Sequence, residues 1–281
     1  MSSIMVASGP WTRRMPAPAD FIPGMSRAAA GNGPGMVFRR HWTLVRGLRI
    51  HDMTAAEATG LPVVFVHGLA VSHRYLLPAG RALAARHPVF VPDLPGFGLS
   101  GKPPRAYDVG EHAETLAVWL GERGVGPCCL VGHSFGVEVA ARLAARHPAA
   151  VAALVLAGPT TDPRARSRRG LIGRWLADTL VEAPWQAPIL ARDIVDAKPW
   201  RVLATVGHSV HNEVEKDLLR LPAPPLVLGG ELDTVAPLSW RTAVAEMTGG
   251  TSVTIPGAAH NVLTTSPRRS ATAIAAYLRS H

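Results

Sequence analysis

The stretch that most constrains this chain is Leu130-Val131-Gly132-His133-Ser134-Phe135-Gly136. Pro127 to Val131 is an apolar run of strand length, and Val137 to Arg146 is Ala-rich at helical spacing without a breaker. Strand, Gly-x-Ser-x-Gly and helix in that order make a nucleophile elbow, a strained turn that lifts a serine hydroxyl clear of a sheet. A side chain at Gly132 or Gly136 would collide across so sharp a turn. The first N–H groups of the following helix face the serine and suit an oxyanion. A contrasting case lies in the same chain. Gly207-His208-Ser209-Val210-His211 also begins Gly-His-Ser, but it ends in His, lacks a preceding strand and sits in a helical stretch from Trp200 to Leu221. Ser209 is therefore read as an ordinary helix residue.

The length of 281 residues suits one core domain plus an insertion. With 47% hydrophobic and 17% charged residues, the chain is globular rather than disordered. Its formal charge of +9 comes almost wholly from arginine, since Lys102, Lys198 and Lys216 are the lysines. The arginines are scattered apart from Arg164, Arg166, Arg168 and Arg169, so no nucleic-acid partner is expected. No apolar segment approaches the roughly 18 residues of a membrane span. Prolines at 10, 16, 18, 23 and 34 interrupt the N-terminal stretch, which reads as an irregular arm and not as a signal core. Cys128 and Cys129 are adjacent and placed in a buried strand, so packing is their expected role and a reducing, cytoplasmic setting the default. The oligomeric state is left open.

Read in order, residues 1–40 form the arm. His41 to Thr54 alternates around Gly47 as an antiparallel hairpin. Pro62 to Val66 is a buried strand ending at His67-Gly68-Leu69, Tyr75 to Arg86 a helix, and Pro88 to Val91 the next strand. The loop Asp93-Leu94-Pro95-Gly96-Phe97-Gly98-Leu99-Ser100 follows, then a helix from Val109 to Arg123, the elbow, and a strand from Val151 to Leu156. This alternation predicts a mostly parallel sheet covered on both faces, with active-site groups at the carboxyl ends of strands. Residues 159–222 lack a convincing strand and carry Trp175, Trp185 and Trp200, which predicts a helical insertion over the site. The α/β rhythm returns over 223–281 with strands Leu226 to Leu228 and Ser252 to Ile255, and helices Leu238 to Met247 and Pro267 to Leu278. The core is thus 41–158 plus 223–281.

A serine hydroxyl is a poor nucleophile at neutral pH and needs a base, itself oriented by a third group. After such an elbow, the acid and then the histidine come later in the chain. Asp233 closes the strand after the insertion, and His260 ends the loop Pro256-Gly257-Ala258-Ala259. Asp162 is the rival acid, although Thr161-Asp162-Pro163 has the look of a helix start. The oxyanion needs donors fixed in advance, and the backbone N–H groups of Phe135 and Leu69 are the candidates. His67 is expected to brace the Leu69 loop and is a candidate pocket residue. Arg74, Trp175, Trp185 and Trp200 are further pocket candidates. His73 and Arg74 can also be read as a solvated helix start, His133 as packing, and Glu138 with Arg142 as an i,i+4 pair.

On these pieces (His67-Gly68-Leu69, Asp93 to Ser100, the Gly132–Gly136 elbow, Asp233 and His260) the chain from Trp42 onward resembles the α/β-hydrolase fold superfamily, in its serine-nucleophile, esterase- and lipase-like branch. The resemblance implies an eight-stranded, mostly parallel sheet with a helical cap, and neither a metal nor an organic cofactor. It carries the nucleophile onto Ser134, the acid onto Asp233, the base onto His260 and the oxyanion amides onto Leu69 and Phe135. It also implies that alkane dehalogenation and epoxide opening, which use an aspartate at the elbow in that superfamily, are disfavoured by Ser134. The leading expectation is a carboxylic ester hydrolase for a small or medium apolar acyl substrate, working through an acyl-enzyme. Lactonase, carbon–carbon bond hydrolase, perhydrolase and acyltransferase share the triad, and the same fold also serves ligand receptors.

Overall fold

The computed structural model describes residues 37–280. Strands β1 (Arg39–Val45) and β2 (Leu48–Ala55) form the expected hairpin. The sheet therefore takes in Arg39 and Arg40, two residues more than the hairpin expected from sequence; residues 1–36 of the arm lie outside the described residues. The chain continues through β3 (Val63–Val66), α1 (His73–Leu83), β4 (Val89–Pro92) and α2 (Val109–Glu122). It then forms β5 (Cys128–His133), α3 (Phe135–Arg146) and β6 (Val151–Ala157). Four helices follow before the next strand: α4 (Arg168–Thr179), α5 (Ala187–Ala197), α6 (Pro199–His211) and α7 (Val214–Leu218). The last part holds β7 (Leu226–Gly230), α8 (Leu238–Thr248), β8 (Thr251–Ile255), α9 (Val262–Thr265) and α10 (Pro267–Leu278). The short α9 was not anticipated.

The eight strands form one sheet in the order β1-β2-β4-β3-β5-β6-β7-β8. β2 runs antiparallel to both neighbours, and every pair from β4 to β8 is parallel. After β3 the chain steps outward to β4 and then returns to the other side of β3 as β5. Their carboxyl ends diverge there, which opens the crevice that parallel sheets use for ligands.

Strand alternation divides the core in two. Val64 and Val66 of β3, with Cys128 and Leu130 of β5, face α2, α3 and α8 through Leu116, Trp119, Val137 and Trp240. Val63, Phe65, Cys129 and Val131 face α1 and α10 through Leu76, Leu83 and Ile274. The two adjacent cysteines are free, buried and packed on opposite faces. Helix α2 begins where it does because Asp108 and Glu111 form a reciprocal capping box, the Glu111 N–H donating to Asp108 Oδ1 at 2.8 Å. Its buried stripe, Val109, Ala113, Leu116 and Leu120, then packs on the sheet.

Candidate active site

Ser134 sits between β5 and α3 with φ 55° and ψ −123°, a left-handed backbone that a non-glycine residue adopts only when its surroundings force it. The force comes from close packing on both sides. A Cβ at Gly132 would lie 2.5 Å from the Gly136 carbonyl oxygen, and one at Gly136 would lie 2.1 Å from that of Val66. The elbow helix is thereby pressed against the end of β3. Ser134 is left half-buried on the wall of a cavity of about 360 Å3, and its Oγ makes no hydrogen bond among the described residues.

The same cavity is lined by His260, Leu69 and Phe135. His260 Nδ1 lies 3.1 Å from both carboxylate oxygens of Asp233. Asp233 Oδ1 also accepts from the backbone N–H groups of Val235 (3.0 Å) and Ala236 (2.8 Å), which fixes the carboxylate from within its own loop. Burial pushes the Asp233 carboxyl upward, but the His260 charge, its hydrogen bond, the Ala236 N–H and buried Arg241 outweigh it and hold the group below its ordinary range. Burial alone would lower His260; Asp233, Asp178 and Glu182 overcome it and lift the imidazole to about 9. His260 Nε2 is buried without a hydrogen-bond partner among the described residues, Ser134 Oγ included. Catalytic contacts of this kind often tighten only around substrate. The backbone N–H groups of Leu69 and Phe135 are likewise unclaimed by any group among the described residues.

Histidines flanking the site connect its loops. Leu94 N–H donates to His67 Nε2 at 2.9 Å, so the ring proton sits on Nδ1 and is donated to the Gly68 carbonyl at 2.8 Å. His67 thus braces the Leu69 loop and is absent from the cavity wall, which removes it from the pocket candidates. His133 does more than pack. Its Nε2–H donates to the His260 carbonyl (2.9 Å), and its Nδ1 accepts from Tyr75 Oη (2.6 Å), which in turn accepts from Gly68 N–H (2.9 Å). This chain ties the loop after β3, the elbow and the loop carrying His260 into one frame. Burial and the neighbouring His260 charge push His133 down to about 3, so it stays neutral and keeps that tautomer. Tyr75→Phe strands two buried polar groups, each costing about 1–3 kcal/mol. It is expected to lower the melting temperature by several degrees and kcat about tenfold with little change in KM. Thermal unfolding and steady-state kinetics on one ester check both.

Other expectations are corrected. Arg74 is spent on Asp193 and Asp196 of α5 and does not line the cavity. His73 is buried rather than solvated: its ring and backbone N–H both reach Asp93, which also accepts from His51 Nδ1 (2.8 Å) and Leu99 N–H (2.9 Å). His51, His73 and Asp93 have liganding atoms within 4.8 Å of one another, yet both Nδ1 atoms are committed to Asp93, which fits a brace for the Asp93–Ser100 loop. Asp162 caps the short turn at Pro163–Ala165 and pairs with Arg174, as its local sequence suggests. Trp175 lines the cavity; Trp185, in the short turn before α5, and Trp200, in the first turn of α6, do not, and both are about half exposed, with the Arg201 guanidinium 4.6 Å above the Trp200 ring.

Glu138 is not paired with Arg142. Fully buried, it accepts from Ser209, Asn212, Thr160 and Thr161, while Arg142 turns to Asp217 and Asn212. Ser209 is in α6, as expected, but its hydroxyl fastens that helix to the elbow helix. Burial raises the Glu138 carboxyl from 4.5 to about 7 despite these four donors. The folded state therefore binds more protons than the unfolded chain in that window, and stability contributed at low pH is lost as pH rises through about 7. In Glu138→Gln that decline, up to about 3 kcal/mol, is expected to flatten; urea unfolding at a series of pH values measures it.

Comparison with known proteins is consistent with this geometry. The profile of the alpha/beta hydrolase family matches residues 63–273. A haloalkane dehalogenase of Mycobacterium marinum is 35% identical over 124 residues, 43% of this chain and 41% of that protein. A probable 1-acylglycerol-3-phosphate O-acyltransferase of Oryza sativa is 33% identical over 109 residues, 37% of this chain and 26% of the relative. The chain spans less than half the length of these curated relatives. Among solved structures, a thermophilic esterase from Thermogutta terrifontis superposes with a TM-score of 0.73 at 27% identity, covering 86% of this chain and 98% of that one.

Proposed function

The chain belongs to the alpha/beta hydrolase family, and within it we propose a carboxylic ester hydrolase that works through an acyl-enzyme on Ser134. The observation that carries this reading is the strained Ser134 turn opening onto the cavity that His260 also lines, with His260 held by Asp233. Ser134 Oγ attacks the ester carbonyl carbon and its proton passes to His260 Nε2, the nitrogen left without a partner. The Leu69 and Phe135 N–H groups receive the tetrahedral oxyanion. Collapse breaks the bond to the alkoxy oxygen, which leaves as the alcohol with the proton from His260. Water then repeats the sequence on the acyl-enzyme and releases the acid.

In this reading residues 159–222 act as a cap over a core of 41–158 and 223–281. Leu171, Ile172, Trp175, Val202 and Val206 from α4 and α6 supply apolar walls for a small to medium acyl group. Ser134 separates the reaction from alkyl-halide displacement, since an alkyl-serine ether offers water no carbonyl carbon to attack. The buried free thiols favour a cytoplasmic setting, and no helix among the described residues is long and apolar enough to cross a membrane. Turnover of nitrophenyl esters of graded chain length tests the proposal. Many cycles per molecule, falling once the acyl chain outgrows the cavity, are expected. One slow event per molecule, with a ligand-dependent thermal shift, would indicate a receptor instead.

A further inference from the structure

Asp178 lines the cavity and takes no bond or proton in the acyl-enzyme mechanism, although its charge helps to raise His260. It lies on α4 at helical spacing from Trp175 and Glu182, all three on the cavity wall. Only 3% of it is exposed; the His260 backbone N–H reaches its carboxyl group, and its Oδ1 is buried with no hydrogen-bond partner among the described residues. Several neighbouring polar groups on that wall are already committed. Glu182 accepts from the Asn261 N–H and from Gln186 Nε2, Ser209 and Thr160 serve Glu138, and Thr264 Oγ1 donates to the Tyr75 carbonyl. A buried polar atom left unmade costs about 1–3 kcal/mol, and at a ligand cavity a ligand group can recover it.

We infer that Asp178 is a specificity-determining residue that binds a hydroxyl on the ester substrate, giving an otherwise apolar cavity a preference for hydroxylated esters over their plain counterparts. The inference rests on the Ser134 hydrolase reading and deepens it. Burial lifts the Asp178 carboxyl to about 7, opposed by nearby His260, so both of its protonation states are present near neutrality. A hydroxyl can donate to the carboxylate and accept from the carboxyl, so it serves either state.

The test uses the whole chain and matched esters. One pair is a nitrophenyl alkanoate and its singly hydroxylated acyl analogues. The other is an ethyl ester and the corresponding ethylene glycol monoester, followed by acid release. The readout is the ratio of kcat/KM, hydroxylated over plain, within each protein. The parent is expected to favour the hydroxylated member of at least one pair about tenfold, the effect of roughly one net hydrogen bond. Which pair responds places the hydroxyl on the acyl or the alcohol side. Asp178→Leu is expected to erase that ratio and Asp178→Asn to retain part of it. A ratio near unity in the parent, a ratio unchanged in Asp178→Leu, or a preference for an amino-substituted ester would overturn the assignment. Failure of the hydrolase reading is distinguishable, because neither member of any pair would then be turned over by the parent.

Discussion

Ser134→Ala is expected to lower kcat/KM for nitrophenyl esters by at least about ten-thousand-fold, with the melting temperature nearly unchanged. The asymmetry follows from the structure. The hydroxyl makes no hydrogen bond among the described residues, so its removal leaves no buried group stranded. The left-handed backbone at φ 55° is imposed by the packing of Gly132 and Gly136 and persists with alanine. What is lost is the atom that forms the acyl bond. Residual turnover reports the oxyanion donors and binding alone. Steady-state kinetics beside thermal unfolding measure both halves; a drop of less than tenfold would place the nucleophile elsewhere.

Asp233→Asn carries the second large effect, about ten-thousand-fold in kcat at neutral pH. Asparagine keeps one acceptor for the Val235 and Ala236 N–H groups. Its amide cannot also accept from His260 Nδ1 on both atoms, so the imidazole loses the tautomer that exposes Nε2 as a base. The pH profile gives an independent reading. His260 must be neutral to act as base, and it faces Asp233 after β7, Asp178 on α4, Glu182 just beyond α4, and His133 of β5. With its pKa lifted to about 9, kcat/KM in the parent is expected to rise with pH from neutrality through about 9. Removing the Asp233 charge and its hydrogen bond leaves burial opposed only by Asp178 and Glu182, and the midpoint should move down from about 9. Stability runs the other way. A folded pKa above the unfolded value means the stability linked to His260 protonation is complete below about 6.5 and is lost as pH rises through about 9. The parent is thus expected to gain activity and lose stability over the same interval.

The sheet was legible because each central strand is an apolar run bounded by Gly, Pro or Asp, and burial on both faces demands that pattern. The meeting of Asp233 with His260, and of His260 with Ser134 on one cavity wall, was legible because the elbow fixes where Ser134 stands and chain order then leaves few places for the other two. The wiring around them was not. Glu138 and Arg142 are four apart on a helix face, yet partners 22 to 75 positions distant outcompete the local pair. His133 could not be given a tautomer without knowing that Tyr75 and the His260 carbonyl flank it. Trp175, Trp185 and Trp200 mark a helical segment but not which of them turns toward the cavity. Asp178 has a legible signal in its spacing from Trp175 and Glu182, which sets an acid on the cavity-facing side of α4.

The central claim is that Ser134 is an activated nucleophile, and mass spectrometry of the intact, folded chain after exposure to a fluorophosphonate tests it most directly. The account predicts one covalent adduct, mapped to the peptide containing Ser134, absent from Ser134→Ala and absent from Ser209. No adduct in folded protein, or an adduct elsewhere, would contradict it.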